Sequence, residues 1–160
     1  MQIGSEAKTK LVGYLTAPAG LSSTMADLTA PGGQTPQPNV ISQNAAPDLA
    51  DKAAAVQYPV VSAYCEKISN TQREKFRSFS GTVQLAVEVR HSQDQLDGLE
   101  DTLEQYTDAV TQTLSGNTGD WGDGMYFSGA YQVSFGAVKK GGKNFTQAAK
   151  ITLEVGVSRS

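Results

Sequence analysis

Apolar and polar residues alternate over several stretches in the last hundred residues of the chain. The clearest stretch is 81–91, where Val83, Leu85, Val87 and Val89 are separated by polar or small residues. A period of two is typical of a strand with one buried face. The same pattern predicts three further strands, over 58–68, 131–137 and 145–157.

A different period, with apolar residues three and four positions apart, predicts two helices. The first begins near Ser5, which can serve as its N-cap, and ends before Pro18 and Gly20. The second covers 93–114, with an apolar face formed by Leu96, Leu99, Leu103, Tyr106, Val110 and Leu114. These elements predict an α+β fold in the order α-β-β-α-β-β, with a four-stranded, mainly antiparallel sheet and both helices on one face.

Residues 16–57 show no sustained period and contain five of the six prolines. Val40 and Ile41 are compatible with a short strand, and 47–55 with a short helix. A disordered linker and an arm that becomes ordered against a neighbour both remain open for this stretch. We therefore predict a single domain over 1–160, in which the segment 16–57 is inserted between the first helix and a core at 58–158.

Charge and composition exclude several classes of protein. The net charge of −3 argues against a protein that binds nucleic acid over its whole surface. No apolar run near Met1 is long enough for a signal peptide or a membrane span, which predicts a cytoplasmic protein, or one in a particle assembled there. The single cysteine, Cys65, excludes an internal disulfide framework.

Catalytic and metal-binding patterns are weak. Cys65 is interpreted as a buried thiol and His91 as a surface residue, rather than as a nucleophile and its base. Asp120 and Asp123 lack the spacing of a calcium loop and are typical of turns. We expect no enzymatic activity and no cofactor.

Charged residues are instead grouped by sign. Every charge in the second predicted helix is negative, at Asp94, Asp97, Glu100, Asp101, Glu104 and Asp108. The predicted hairpin around Gly141-Gly142 is basic, with Lys139, Lys140, Lys143 and Lys150. Like charges four residues apart on a helix are unfavourable. A solvated helix face and a face that meets a cationic surface both remain open.

The link between the first two predicted strands is basic and aromatic, with Arg73, Lys75, Phe76, Arg77 and Phe79. Such a loop can contact nucleic acid by charge and stacking. The interpretation that we favour is that both phenylalanines pack onto the core while the cations are solvated.

Four stretches resemble the tail terminator, or tail completion, proteins of long-tailed bacteriophages. They are YPVVSAYCEK at 58–67, REKFRSFSG at 73–81, VEVR at 87–90 and GDWGDG at 119–124. The resemblance covers about 58–158 and also fits the N-terminal helix. The segment 16–57 is long for that family, and no role is transferred to it.

The resemblance implies a structural virion protein that forms a ring, hexameric in that family. The ring would cap the tail tube and dock the head connector of the neck, with DNA passing through its lumen during ejection. The implied partners are other copies of the chain, the tube protein and the connector, without a membrane. Another neck or tail component, such as a head–tail joining protein or a tube subunit, is the alternative, followed by a small ligand-binding α+β domain.

A ring requires two different faces on each subunit. The acidic helix and the basic hairpin are our candidates for these faces. Alternatively, the acids line the lumen and repel the phosphates of passing DNA. The basic, aromatic loop is our candidate for a contact with the tube or the connector.

Overall fold

A computed structural model describes residues 2–28, 39–42 and 58–160 of the chain. These residues form three helices, α1 Ile3–Thr16, α2 Leu21–Leu28 and α3 Leu99–Ser115. They also form seven strands, β1 Asn39–Ile41, β2 Val60–Asn70, β3 Phe79–Gln93, β4 Gly119–Gly122, β5 Met125–Phe135, β6 Lys139–Gly141 and β7 Asn144–Arg159.

The strands make one sheet in the order β1-β2-β3-β7-β5-β4, and β6 pairs with β7 beyond β5. Only the β1–β2 pairing is parallel. The α+β class and the mostly antiparallel sheet are therefore confirmed. The prediction of a sheet with only four strands, in the element order α-β-β-α-β-β, is wrong, because the described residues contain seven strands and three helices. The four predicted strands form the middle of the sheet as β2, β3, β7 and β5. Strand β1 at its edge matches the short strand expected at Val40 and Ile41, and β4 and β6 were not predicted.

One face of the sheet carries the core, as strand alternation requires. Four alternate residues of β3 are fully buried there, at Val83, Leu85, Val87 and Val89. Alternate residues of β7 continue this layer, at Ala149, Ile151, Leu153, Val155 and Val157. The helices cover it with residues spaced three and four apart, which include Ala7, Leu11, Leu15, Leu103, Tyr106, Val110 and Leu114.

The opposite face carries polar networks instead. The Tyr64 hydroxyl donates to Glu88, which also pairs with Arg90 at 2.9 Å. The pKa of Tyr64 is raised, first by burial and then by its hydrogen bond to Glu88. Lys150 of β7 pairs with Glu66 of β2, and Gln84 of β3 donates to the same carboxylate.

Helix α1 begins at Ile3, and no side chain caps it. The prediction that Ser5 is its N-cap is therefore wrong, because Ser5 already lies within the helix. The backbone carbonyl of Ser5 accepts a hydrogen bond from Thr9 Oγ1 at 2.8 Å.

The segment 16–57 is only partly described. The predicted strand at Val40-Ile41 is confirmed as β1. Helix α2 was not predicted, although Leu21, Met25 and Leu28 have helical spacing, because eight residues are too few to show a sustained period beside a stretch rich in proline and glycine. It packs on α3, where Thr24 Oγ1 lies 3.3 Å from the carbonyl of Ala109. The predicted helix at 47–55 lies outside the described residues.

The acidic helix begins later than predicted. Strand β3 continues to Gln93, and a turn at 94–98 precedes α3, with Gly98 at a φ of 77°. The Gln93 side chain donates to the carbonyls of Gln95 and Asp97 and fixes this turn. Consequently Asp94 and Asp97 lie outside the helix, and Leu96 is 56% exposed instead of facing the core.

The predicted loop at 116–124 contains strand β4. Asp123 and Gly124 form a two-residue hairpin turn between β4 and β5, with φ values of 55° and 76°. Positive φ at both positions is typical of a type I′ turn, which Asp-Gly favours. Trp121 of β4 is buried against Tyr14 and Phe127, and its indole nitrogen donates to the Asn117 carbonyl at 2.7 Å.

Candidate protein interface

The two ends of the long β3–β7 pair differ in how their charges are arranged. We call the end where β3 finishes and β7 begins the unpaired end. It carries the turn 94–98, the start of α3 and the β6–β7 hairpin. We call the other end, where β3 begins and β7 finishes, the paired end. It carries the loop 71–78, the β4–β5 turn and the start of α1.

The unpaired end has an open groove lined by apolar side chains and carboxylates. It measures about 510 Å³ and is lined by Leu96, Asp97, Gly98, Leu99, Glu100, Asp101 and Val138. Leu96 and Val138 are 56% and 39% exposed. Sequence analysis missed both as interface candidates, because Leu96 fits the helical period and Val138 follows a strand. Gly98 could have indicated that the helix begins after Leu96, because glycine is unfavourable inside a helix and is common in turns.

The predicted acidic residues are all exposed, at Asp94, Asp97, Glu100, Asp101, Glu104 and Asp108. Lys139, Lys140 and Lys143 of the hairpin are also exposed, and Lys140 lies 5.5 Å from the Phe145 ring centroid. Gly142 has the predicted positive φ, at 65°. No ion pair joins any of these nine side chains to another residue in the part of the chain that the structure describes.

Two details of the predicted charge pattern change. Lys150 does not belong with the hairpin lysines, because it is half-buried on the outer face of the sheet and pairs with Glu66. The acidic and basic groups are also not on opposite sides of the molecule. Val138, the neighbour of Lys139, lines the same groove as Asp97, Glu100 and Asp101.

The loop 71–78 at the paired end presents Phe76. This side chain is 100% exposed, and its φ is 63°, which is unusual for a large residue. Phe79, by contrast, is buried. The interpretation that both phenylalanines pack onto the core is therefore correct for Phe79 and wrong for Phe76.

Hydrogen bonds hold this loop in one conformation. Asn70 Oδ1 accepts from the backbone N–H groups of Gln72 and Ser80, at 3.3 and 3.1 Å. Glu74 accepts from the Ser158 hydroxyl at 2.9 Å and pairs with Arg77 at 3.1 Å. Arg73 and Lys75 are exposed on either side of Glu74. Phe76 is thus an exposed aromatic side chain on a loop that also exposes two basic residues.

Ion pairs surround the rest of the paired end. Arg159 pairs with Glu6 and also donates to the Asp123 carbonyl, while Lys10 pairs with the Asp123 carboxylate at 3.0 Å. The hydrogen bond from Arg159 lowers the pKa of Glu6, and the hydrogen bond from Lys10 lowers the pKa of Asp123. Each of these four charged side chains therefore has an ion-pair partner within the chain.

Cys65 and His91 do not form a catalytic pair. Cys65 is paired in register with Leu85, six residues before His91 on β3, a separation of roughly 20 Å. Burial raises the pKa of the Cys65 thiol. The prediction that His91 is a surface residue is wrong, since it is half-buried with its ring centroid 5.5 Å from that of Tyr106, and burial lowers its pKa.

Asp120 and Asp123 serve the β4–β5 turn. Asp120 accepts from the backbone N–H of Gly122 at 2.8 Å, and Asp123 is occupied by Lys10. Across residues 2–28, 39–42 and 58–160, no group of three or more histidine, cysteine, aspartate or glutamate side chains is arranged to hold a metal ion. Over the same residues, no helix has the length and apolar character needed to span a membrane.

Known protein families and curated proteins give no match to this chain.

Proposed function

We propose that this protein is a structural subunit of the tail of a long-tailed bacteriophage. Copies of the chain form a ring, hexameric in the family that it resembles, which caps the tail tube and docks the head connector. DNA passes through the lumen during ejection, the protein resides in the virion neck, and it performs no catalysis. The resemblance of 58–158 to tail terminators supports this identity.

The observation that carries the proposal is the set of exposed charges at the unpaired end. The acids of α3 and the hairpin lysines have opposite signs, and within the described residues neither set is neutralised by an ion pair. Like charges at Glu100, Glu104 and Asp108 cost the isolated helix a few tenths of a kcal/mol per pair. A neighbouring subunit that brings lysines to them would offset this cost.

A closed ring is built from a heterologous contact, in which two different patches of the same subunit meet. In our proposal, the hairpin lysines of one subunit approach Glu104 and Asp108 of the next. The hairpin turn at Gly142 and Lys143 lies just past the last β3–β7 pair, Gln93 with Phe145, so its lysines are exposed at the edge of the molecule. The acids are then interfacial and do not line the lumen.

Electron microscopy of the purified protein in negative stain tests the function. Single rings are the expected result. Long tubes would identify a tail tube subunit instead, and monomers at tens of micromolar protein would contradict the proposal.

A charge reversal tests the contact. The double variant Lys139→Glu and Lys143→Glu leaves Lys140 on Phe145, so that the hairpin is disturbed as little as possible. We expect native mass spectrometry to show loss of the ring. The variant Lys8→Glu with Lys67→Glu makes the same change in net charge away from the hairpin, and it should assemble normally. Equal assembly of both variants would rule out the hairpin contact.

A further inference from the structure

The two ends of the molecule carry complementary groups, an aromatic ring with cations at one end and apolar side chains with carboxylates at the other. The paired end projects an aromatic side chain, Phe76, with exposed cations at Arg73 and Lys75 beside it. The unpaired end has a groove lined by the exposed apolar side chains of Leu96 and Val138 and by the carboxylates of Asp97, Glu100 and Asp101. We call Phe76 with its flanking cations the knob, and the groove the socket.

The socket has suitable dimensions for the knob. A groove of about 510 Å³ lies within the range that accommodates groups larger than one aromatic ring. Its exposed leucine and valine would lose contact with water when a ring covers them. The carboxylates at its rim would face the arginine and lysine that flank the ring, which favours one docking orientation.

A chain cannot fill its own socket. The knob precedes Phe79 at the start of β3, and the socket follows Gln93 at its end. The fifteen residues of β3 separate them by roughly 45 Å. The hydrogen bonds of Asn70 and Glu74 also fix the loop at the paired end, so that it cannot fold back along the sheet.

We propose that Phe76 of one copy inserts into the socket of the next copy, between Leu96 and Val138, while Arg73 and Lys75 meet the socket carboxylates. Because knob and socket are different surfaces, the contact is heterologous and continues from subunit to subunit. This inference rests on the proposed ring and names an aromatic contact within it. It uses Asp97 and the acids at the start of α3, whereas the hairpin contact uses Glu104 and Asp108. Because Phe76 and the hairpin lie at opposite ends of a subunit, the knob contact and the hairpin contact are alternative interfaces, and the Phe76 and lysine variants distinguish them.

Phe76 is the expected anchor of this contact. Exposed aromatic residues that become buried at the centre of an interface dominate its affinity. We expect Phe76→Ala to weaken self-association by about 30-fold or more, measured by sedimentation velocity over a concentration series. Tyr126→Ala is the matched control, because Tyr126 is 57% exposed on β5 and lies outside the knob and the socket. It should change association less than threefold.

A second variant separates docking from folding. Phe76→Gly removes the ring and also suits the φ of 63° better than phenylalanine does. We expect its melting temperature to be equal to or higher than that of the wild type, while association falls as in Phe76→Ala. A residue with a purely structural role would not show this combination.

Mixing two defective variants gives the decisive experiment. Phe76→Ala lacks the knob but retains the socket, and Val138→Glu places a carboxylate in the socket but retains the knob. Each variant alone should be largely monomeric. Their mixture should form one-to-one heterodimers, since one intact knob and one intact socket remain per pair, and it should not form rings.

The outcomes distinguish this inference from the proposed function. Rings that persist unchanged in Phe76→Ala would overturn the knob contact and leave the ring intact. Heterodimers from the mixture, together with open fibres instead of rings in the wild type, would support the knob contact and overturn the terminator function. If Phe76→Ala abolished binding to single-stranded DNA without affecting assembly, the loop would be a nucleic-acid contact, and our inference would be wrong.

Discussion

The two ends of the central strands carry similar numbers of charges but use them differently. At the paired end, Glu6, Lys10, Asp123 and Arg159 form ion pairs within the chain. At the unpaired end, the acids of 94–108 and the hairpin lysines have no ion-pair partner among the described residues. The first arrangement holds α1, the β4–β5 turn and the end of β7 together. The second leaves opposite charges available to another molecule.

This difference separates stability from assembly. Substitutions at the paired end, the knob apart, should mainly change the free energy of unfolding of the subunit. Substitutions at the unpaired end should mainly change its association. The knob is the exception, since Phe76, Arg73 and Lys75 lie at the paired end but are exposed to solvent.

The largest expected difference comes from one substitution made at two turns. At the paired end, a Cβ on Gly124 would lie 2.1 Å from the Ser158 carbonyl oxygen, at a φ of 76°. Gly124→Ala should therefore destabilise the subunit by about 3 kcal/mol, from backbone strain and the clash together. At the unpaired end, Gly142 has a φ of 65° but no atom near its Cβ position. Gly142→Ala should cost only about 1 kcal/mol.

Urea denaturation of both glycine variants, followed by circular dichroism, measures this difference. Equal losses of stability at the two turns would contradict the view that the paired end is closed by tight internal contacts.

The next expected difference is in pH dependence. The pKa of His91 near the unpaired end is lowered by burial, so its neutral form is favoured in the folded state. The unfolded chain binds the proton first as pH falls, and stability is therefore lost below about pH 6.5. The pKa values of Glu6 and Asp123 at the paired end are also lowered, but here the charged form is favoured. Their contribution is present above about pH 4.5 and is lost as the pH falls through the folded pKa values.

Melting temperatures measured from pH 7.5 to 3.5 test both windows. His91→Gln should remove the loss of stability that begins below about pH 6.5. Glu6→Gln with Asp123→Asn should reduce the loss of stability that begins below about pH 4.5. If the histidine variant retained the wild-type slope between pH 6.5 and 5, the assignment to His91 would be wrong.

The smallest expected effect on stability is at Glu104. This residue is one turn from both Glu100 and Asp108 on the exposed side of α3. Glu104→Gln removes two unfavourable pairs and should stabilise the subunit by about 0.5 kcal/mol. In our proposal it also weakens the ring, because Glu104 meets the neighbour's lysines. Chemical denaturation and native mass spectrometry on the same sample measure the two effects, and a gain in both would contradict an interfacial role.

Much of the fold was predictable because the spacing of apolar residues in a strand or a helix is visible within a few neighbouring residues. The alternation at 81–91 and 145–157 identified the two central strands, and the apolar stripe from Leu99 to Leu114 identified α3. Errors occurred where one local signal competed with another. Leu96 continues the helical stripe, but Gly98 and the side chain of Gln93 form a turn before the helix. The Asp123-Gly124 turn was visible in the sequence, yet the glycines around it concealed the short β4.

The candidate interface was less predictable. The acidic and basic residues were identified from the sequence, and their exposure follows from the amphipathic pattern. The sequence did not predict that both groups of charges lie at the same end of the molecule, because that position depends on where β3 ends and α3 begins. Phe76 and Phe79 are three residues apart, but Phe79 begins β3 in phase with the buried Val83 and Leu85, whereas Phe76 lies in the loop before the strand and is fully exposed.

The sequence by itself determined the α+β class, the four central strands, the acidic face and the basic hairpin, because periodicity and charge act over a few neighbouring residues. Only the tertiary structure decided that Lys150 pairs with Glu66, that Val138 and Leu96 share a groove, and that Phe76 points away from the chain. Those contacts join residues tens of positions apart, and they are set by strand register and by the competition of side chains for the core. The sequence therefore specifies which surfaces exist, and the packing specifies which of them remain available to a partner.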